Sequence, residues 1–246
     1  MVDISRAEQP ACGDTITWFG HSCFRVTDAD GHTVVTDPYA AEVMGQSLSG
    51  LTADVVIITH EHYDHNAVDA VQARHVIHAL AELPDKTIKR VGDAPTGLIF
   101  TLIPTYHDEV KGHEQGENVV VVWQEGGIIF CHLGDLGQPL NDRQVEAIGR
   151  PDVLMLPVGG HFTINGAEAR AVVKQLRPHV VIPMHYKVPG MSDAHLPITT
   201  VDPFLHADGR EPWDSVQRLD TSVLTVDVDH LPNGTEVDVL TAVKIH

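Results

Sequence analysis

Cysteine is scarce in this sequence. Cys12, Cys23 and Cys131 are the three present, none in CxxC spacing, and an odd, dispersed set argues against a disulfide framework. Positive charge is also short. Lys and Arg number 16 against 34 Asp and Glu, for a formal net charge of −18. That balance disfavours a nucleic-acid backbone or an anionic membrane surface as the main partner. No apolar run approaches the ~20 residues that span a bilayer. Met1-Val2-Asp3-Ile4-Ser5 carries an early acid and no apolar signal-peptide core, so a cytoplasmic protein is expected. No Pro/Gly/Ser-rich linker, short-period repeat or low-complexity tract interrupts the 246 residues. One domain over 1–246 is expected, large enough to bury a core without cross-links. Histidine, by contrast, is abundant: the chain has 17, more than packing usually requires.

The hydrophobic pattern opens as an antiparallel meander. Residues 15–19, 23–27 and 32–36 read as strands, with Asp30-Gly31 as the hairpin turn between the last two. Residues 39–52 read as an irregular connection. From residue 53 the pattern predicts a strand at 55–58, a helix over about 66–73 and a strand at 75–78. Further strands are predicted at 87–91, 98–103, 118–124, 127–131, 153–156 and 180–184. Helices are predicted at 142–148 and 166–176, the latter capped by Thr163 or Asn165. A loop-rich segment runs from His185 to about residue 213. Residues 222–228 and 235–243 read as a closing hairpin around Pro232-Asn233-Gly234.

The densest chemistry lies in Thr59-His60-Glu61-His62-Tyr63-Asp64-His65, where His60, His62, Asp64 and His65 follow an apolar strand. Imidazole and carboxylate together suit Zn, Fe or Mn better than Ca or Mg. Three other apolar runs end alike: 98–103 leads to His107, 128–131 to His132 and Asp135, and 180–182 to His185. Sites in α/β sheets gather at the carboxyl ends of strands, so one metal site assembled from all these ends is the economical reading.

The same residues carry a family resemblance. His60-x-His62-x-Asp64-His65, then His107, Gly134-Asp135 and His185, resemble the metallo-β-lactamase superfamily over most of residues 14–190. Gly20-His21-Ser22, Leu156-Pro157-Val158-Gly159-Gly160 with Phe162-Thr163, and Ile182-Pro183-Met184-His185-Tyr186 narrow it. They resemble the branch of metal-dependent hydrolases similar to L-ascorbate-6-phosphate lactonase. Residues after about 190 match no motif of the family. The resemblance implies an α/β fold, a four-layer αββα sandwich, with two metal ions, most readily Zn, with Mn or Fe acceptable. It implies His60, His62 and His107 on one ion, Asp64, His65 and His185 on the other, and Asp135 bridging. Asp135 stands where antibiotic-hydrolysing relatives place a cysteine on the second metal, which lowers the expectation of that activity.

The implied function is hydrolysis of a small ester, lactone or phosphoester by a dinuclear centre and a bridging water. The partner is then a small molecule, and a metal-lined pocket is compatible with an anionic one. Phosphodiesterase or nuclease activity on the same fold, and a non-catalytic metal-stabilised binding protein, stay open. A di-iron redox reading is weaker, because His62 stands where oxygen-reducing relatives use Glu. Asp64 could orient the attacking water or take its proton. His161, after Gly159-Gly160 and at a position where similar proteins carry Asn, could contact substrate or protonate the leaving group. Asp37 is a candidate to buttress a metal-binding histidine. His132 could do the same or simply pack, and Glu61 should point away from the metals. His21, Lys187, Tyr106 and His113 could reach the pocket, and Cys131 reads as a small core residue.

Overall fold

The computed structural model of the chain describes residues 13–189, 191, 197–206 and 211–244. Met1-Val2-Asp3-Ile4-Ser5, Cys12, His195 and His246 lie outside the described residues. The opening meander forms as expected: β1 (Asp14–Gly20), β2 (Cys23–Thr27) and β3 (Thr33–Thr36) pair antiparallel. A one-turn helix α1 (Ala41–Met44) leads to β4 (Leu51–Ile58) and β5 (Val71–His78), which add in parallel. An antiparallel run follows, of β6 (Lys89–Gly92), β7 (Ile99–Tyr106), β8 (Glu117–Glu125) and β9 (Ile128–His132). Next come helix α2 (Asp142–Ile148), β10 (Val153–Pro157), helix α3 (Gly166–Leu176) and β11 (Val180–Met184). The chain closes through α4 (Asp202–Leu205), β12 (Ser215–Arg218), β13 (Val223–Val226) and β14 (Glu236–Val239).

These strands make two sheets, one of six strands in the order β13-β1-β2-β3-β4-β5 and one of eight in the order β12-β14-β11-β10-β9-β8-β7-β6. The architecture is the mixed α/β sandwich the sequence implies, with few helices. Side chains alternate along β3 and β4, yet both faces are buried. Val34, Val55 and Ile57 join Trp18, Phe24, Phe100 and Phe130 in the main core. Val35, Val56 and Ile58 join Tyr39, Leu48 and Val43 of α1 in a second cluster on the other face. Burial on both faces is why Val55-Val56-Ile57-Ile58 reads as an unbroken apolar run, each large aliphatic contributing roughly 1.5–3 kcal/mol. Over the eight-stranded sheet, α3 buries Ala169, Val172, Val173 and Leu176. Its cap is Asn165, whose side chain accepts from the Ala167 and Glu168 amides. Cys23 and Cys131 are buried free thiols, and Cys131 belongs to the main core.

Two expectations are corrected. Residues 66–73 are not a helix: a single 3-10 turn, Val68–Ala70, is followed at once by β5. Helical signals in Asn66-Ala67-Val68-Asp69 yield to pairing with β4, which aligns Leu51 with Val71 and Ile58 with His78. Nor do the last strands form a hairpin. β13 pairs antiparallel with β1 in one sheet, while β14 lies parallel to β11 and β12 in the other. Each strand satisfies its backbone groups on a different sheet. The loop-rich segment also contains α4, and β12 lies just beyond it.

The topology places the site. β8 is antiparallel to both β7 and β9, and β10 and β11 run parallel to β9. β7, β9, β10 and β11 therefore end at one edge of their sheet.

Candidate metal centre

Each clustered side chain is delivered by a strand end and fixed by its local backbone. After β4, the turn is held by the His65 amide donating to the His62 carbonyl at 2.9 Å and the Ala67 amide donating to the Pro38 carbonyl at 2.8 Å. After β7, the His107 amide donates to the Gly116 carbonyl at 3.0 Å. After β9, the Asp135 amide donates to Asn118 Oδ1 at 2.9 Å. Gly134 just before it has φ 54, and a Cβ there would collide with Asn118 Oδ1 and the Thr59 side chain. His21, Asp37 and His185 hold φ of 51, 38 and 50. Left-handed backbone at non-glycine residues is uncommon and concentrates at functional sites.

The side chains form two adjoining groups. His60, His62 and His107 bring their ligand atoms together on one side, and His21, Asp64, His65 and His185 on the other. Asp135 lies between them. Its Oδ2 is 3.1 Å from Nε2 of His107 and 3.1 Å from Nε2 of both His65 and His185. Nε2 of His60 is 3.8 Å away. Every residue placed in the cluster from the sequence is brought to it. His21 joins the second group, with Nε2 3.1 Å from Asp64 Oδ2 and 3.2 Å from His65 Nε2.

Neighbouring acceptors set the histidine tautomers. His65 Nδ1–H donates to Asp37 Oδ2 at 3.1 Å, and His107 Nδ1–H to the Phe162 carbonyl at 2.9 Å. The Thr59 hydroxyl donates to Asp37 Oδ2 at 2.7 Å and accepts from His60 Nδ1–H at 3.0 Å. In all three histidines Nε2 is turned toward the centre, where a cation could take its lone pair. Asp37 thus buttresses the site, directly for His65 and through Thr59 for His60.

The electrostatics match this arrangement. Burial pushes the His60 imidazole well below its ordinary value, with His65 adding to the effect. Burial also lowers His62 and brings His21 down to about 4. For His65, burial is outweighed by the Asp135 and Asp64 carboxylates, which hold it well above the ordinary value. Burial raises Asp135 and Asp64, but Asp135 is pulled well down by His185 and His65, and Asp64 is pulled down by His65 and His21. His60 Nε2 and Asp135 Oδ1 are buried without a protein partner. Such atoms are costly unless a ligand satisfies them, and this nitrogen-and-carboxylate set fits a Zn, Mn or Fe cation. A cation would displace the His65 proton, linking uptake to proton release.

A cavity of about 380 Å³ opens over the cluster, walled by Glu61, Tyr63, Gln115 and Phe162 and floored by His62, Asp64, His107, Asp135 and His185. Tyr63 is 50% exposed at its rim. His161 is exposed and packs its ring on Phe162, with centroids 4.3 Å apart, outside the cavity lining. Glu61 bonds His78 Nδ1 at 2.8 Å while also lining the cavity. His132 accepts from the Gly134 amide at 3.1 Å and donates to the Ser22 carbonyl at 3.0 Å, tying two loops together. Lys187, Tyr106 and His113 do not line this cavity. Three supporting residues escaped the sequence reading. Thr59 and Asn118 have partners fixed only by the fold. Asp108 accepts from the Val110, Gly112, Glu114 and Gln115 amides at 2.7–2.9 Å and closes the loop that carries Gln115.

A family model described as a beta-lactamase superfamily domain matches residues 15–185. The chain belongs to the metallo-β-lactamase superfamily. It is similar to a protein of Polaromonas sp. named UPF0173 metal-dependent hydrolase, 30% identical over 218 residues, covering 72% of this chain and 79% of that one. A protein of the same name from Ignicoccus hospitalis is 30% identical over 194 residues, covering 70% and 82%. Among solved structures, a Thermotoga maritima protein assigned as a Zn-dependent hydrolase of the metallo-beta-lactamase superfamily is 34% identical. It matches with a TM-score of 0.69, covering 92% of this chain and 98% of that one. Igni18, a metallo hydrolase of Ignicoccus hospitalis, is 29% identical with a TM-score of 0.52, covering 71% and 83%. As a member of this superfamily, the chain is a metal-dependent hydrolase with a His/Asp cluster able to hold metal.

Proposed function

We propose that the chain hydrolyses a small ester, lactone or phosphoester at a dinuclear centre. His60, His62 and His107 would hold one cation, Asp64, His65 and His185 the other, and the Asp135 carboxylate, lying between the two groups, would serve both. The observation that carries this reading is the position of Asp135 Oδ2, 3.1 Å from imidazole nitrogens of both groups. Divalent cations, Zn foremost, would supply Lewis acidity and an activated water there. The chain's residues do the rest. Asp37, Thr59 and the Phe162 carbonyl take the Nδ1 sides of His65, His60 and His107 and so aim Nε2 at the centre, where it would bind once a cation displaces any proton on it. Asp64, held ionised by His65 and His21, suits accepting a hydrogen bond that orients the attacking water more than removing its proton. Tyr63, Gln115 and Phe162 shape the substrate space, and His161 would meet a leaving group that extends past Phe162. Glu61 lines the cavity and, among the described residues, no Lys or Arg does, which favours a small molecule over a nucleic-acid chain. The test is hydrolysis of an ester, lactone and phosphoester panel by the folded His60→Ala and Asp135→Ala proteins. Activity in the wild type and its loss in both variants is expected; wild-type rates in both would remove the mechanism.

A further inference from the structure

His21 is not among the seven residues that the proposed dinuclear centre uses, yet it is 1% exposed and its ring faces that centre. The β1–β2 turn aims it there. Gly20 has φ 104 and His21 itself φ 51. The His21 carbonyl is anchored by Trp18 Nε1–H at 3.1 Å and the His185 amide at 3.2 Å. Its imidazole lies 4.3 Å, centroid to centroid, from that of His185 and 4.9 Å from that of His65.

Resting on the two-metal reading above, we infer that His21 Nε2 is a direct ligand of the second cation, alongside Asp64, His65 and His185. The distances are those of atoms sharing one ion. Ligands about 2.0–2.1 Å from Zn lie about 2.9–3.6 Å apart across tetrahedral and five-coordinate arrangements. His21 Nε2 is 3.1 Å from Asp64 Oδ2 and 3.2 Å from His65 Nε2, and Asp135 Oδ2 is 3.1 Å from His65 Nε2 and His185 Nε2. The lone pairs explain the choice. His65 donates Nδ1–H to Asp37, so with a cation bound its Nε2 would present a lone pair, as would the Asp64 carboxylate. A proton on His21 Nε2 could satisfy both only without a cation; with one between them, that N–H would point at positive charge. Nδ1 of His21 is buried without a hydrogen-bond partner, as is Nδ1 of His185, a residue already assigned to that cation.

The consequence is an asymmetric centre. With His21, Asp64, His65, His185 and the shared Asp135, the second cation would be enclosed by buried protein groups. The first keeps three imidazoles and the shared carboxylate, and its His62 is only half-buried on the cavity floor. On this assignment the His62 side, which faces the cavity, is the side left open to a substrate oxygen.

His21→Asn tests this, because Asn tolerates the left-handed backbone but is too short to reach the ion. The measurement is Zn stoichiometry and affinity by chelator competition, with melting of the metal-free proteins as the folding control. Wild type is expected to hold two Zn per chain. The variant is expected to hold one tightly and to lose more than ~100-fold in affinity for the other, beyond the ~10–100-fold of a residue acting only through hydrogen bonds. Two Zn retained with a smaller loss overturns the assignment. Should the variant not fold, imidazole nitrogen NMR of Zn-loaded wild type decides: a metal-shifted His21 Nε2 supports it, and a protonated Nε2 overturns it. Fewer than two Zn on wild type overturns the dinuclear reading and this one together, and is distinguished by appearing without any substitution.

Discussion

Asp37→Asn is the perturbation that reaches both halves of the centre through one atom pair. Asp37 is fully buried and accepts from the Thr59 amide at 2.8 Å through Oδ1. Through Oδ2 it accepts from the Thr59 hydroxyl at 2.7 Å and from His65 Nδ1–H at 3.1 Å. An amide cannot reproduce this. If its oxygen stays on the Thr59 amide, the NH₂ faces Thr59 Oγ1 and His65 Nδ1. His65 then accepts at Nδ1 and carries its proton on Nε2, toward the metals. Thr59 can no longer donate to residue 37, which disturbs the hydroxyl that accepts from His60 Nδ1–H. The opposite orientation sets NH₂ against the Thr59 amide, donor against donor. Loss of such orienting partners costs ~10–100-fold in metal affinity, or about 1.4–2.7 kcal/mol per ion. A further ~1–3 kcal/mol of metal-free stability goes with the mispaired buried donors. Asn accepts the φ of 38 at this position, so the backbone need not move. Chelator competition on wild type and variant, with denaturant melts of both metal-free proteins, separates the two effects. Metal affinities within about three-fold of wild type would refute the tautomer argument.

Other outcomes follow from the same contacts. Asn118→Leu removes the bonds to Thr105 Oγ1, the Leu133 carbonyl and the Asp135 amide. Denaturant unfolding should show a loss of about 2–4 kcal/mol, with reduced hydrolysis as the Asp135 turn loosens. Burial pushes the Glu125 carboxyl from 4.5 up to about 8, against the Trp123 hydrogen bond and with Asp28 and Asp14 adding to the rise. The folded protein holds that proton more tightly than the unfolded chain, so its contribution is complete below about 4.5 and is lost as pH rises through about 8. Glu125→Gln should therefore flatten the stability profile across that window. It should stabilise the protein relative to wild type above it by at most about 5 kcal/mol, as read by urea melts at several pH values. Asp108→Ala frees the loop that carries Gln115, so amide exchange across 108–116 should quicken and KM should rise more than kcat falls.

Much of this site was legible from local pattern. His60, His62, Asp64 and His65 are close in sequence, and His107, Asp135 and His185 each follow an apolar run whose meaning as a strand is plain. What escaped was set by distant partners. Asn118 opens an apolar strand as an unremarkable polar residue, and its role exists only because Asp135 folds back onto it from the other side of β9. The helix expected over 66–73 rested on local propensity, which a register with β4 overrode. The closing hairpin failed for a related reason: Pro232-Asn233-Gly234 is good turn chemistry, but β13 and β14 each pair with a different sheet. His21 was recognisable as a turn residue; that the turn aims it at Asp64 and His65 depends on how the two sheets meet.

The central claim is that one buried carboxylate joins two metal spheres. Anomalous diffraction from crystals of the metal-loaded protein measures this directly. The account predicts two peaks, one enclosed by His60, His62 and His107 and one by Asp64, His65 and His185, with the Asp135 carboxylate between them. A single peak, or well-ordered metal-loaded protein with no peak at these residues, would contradict it.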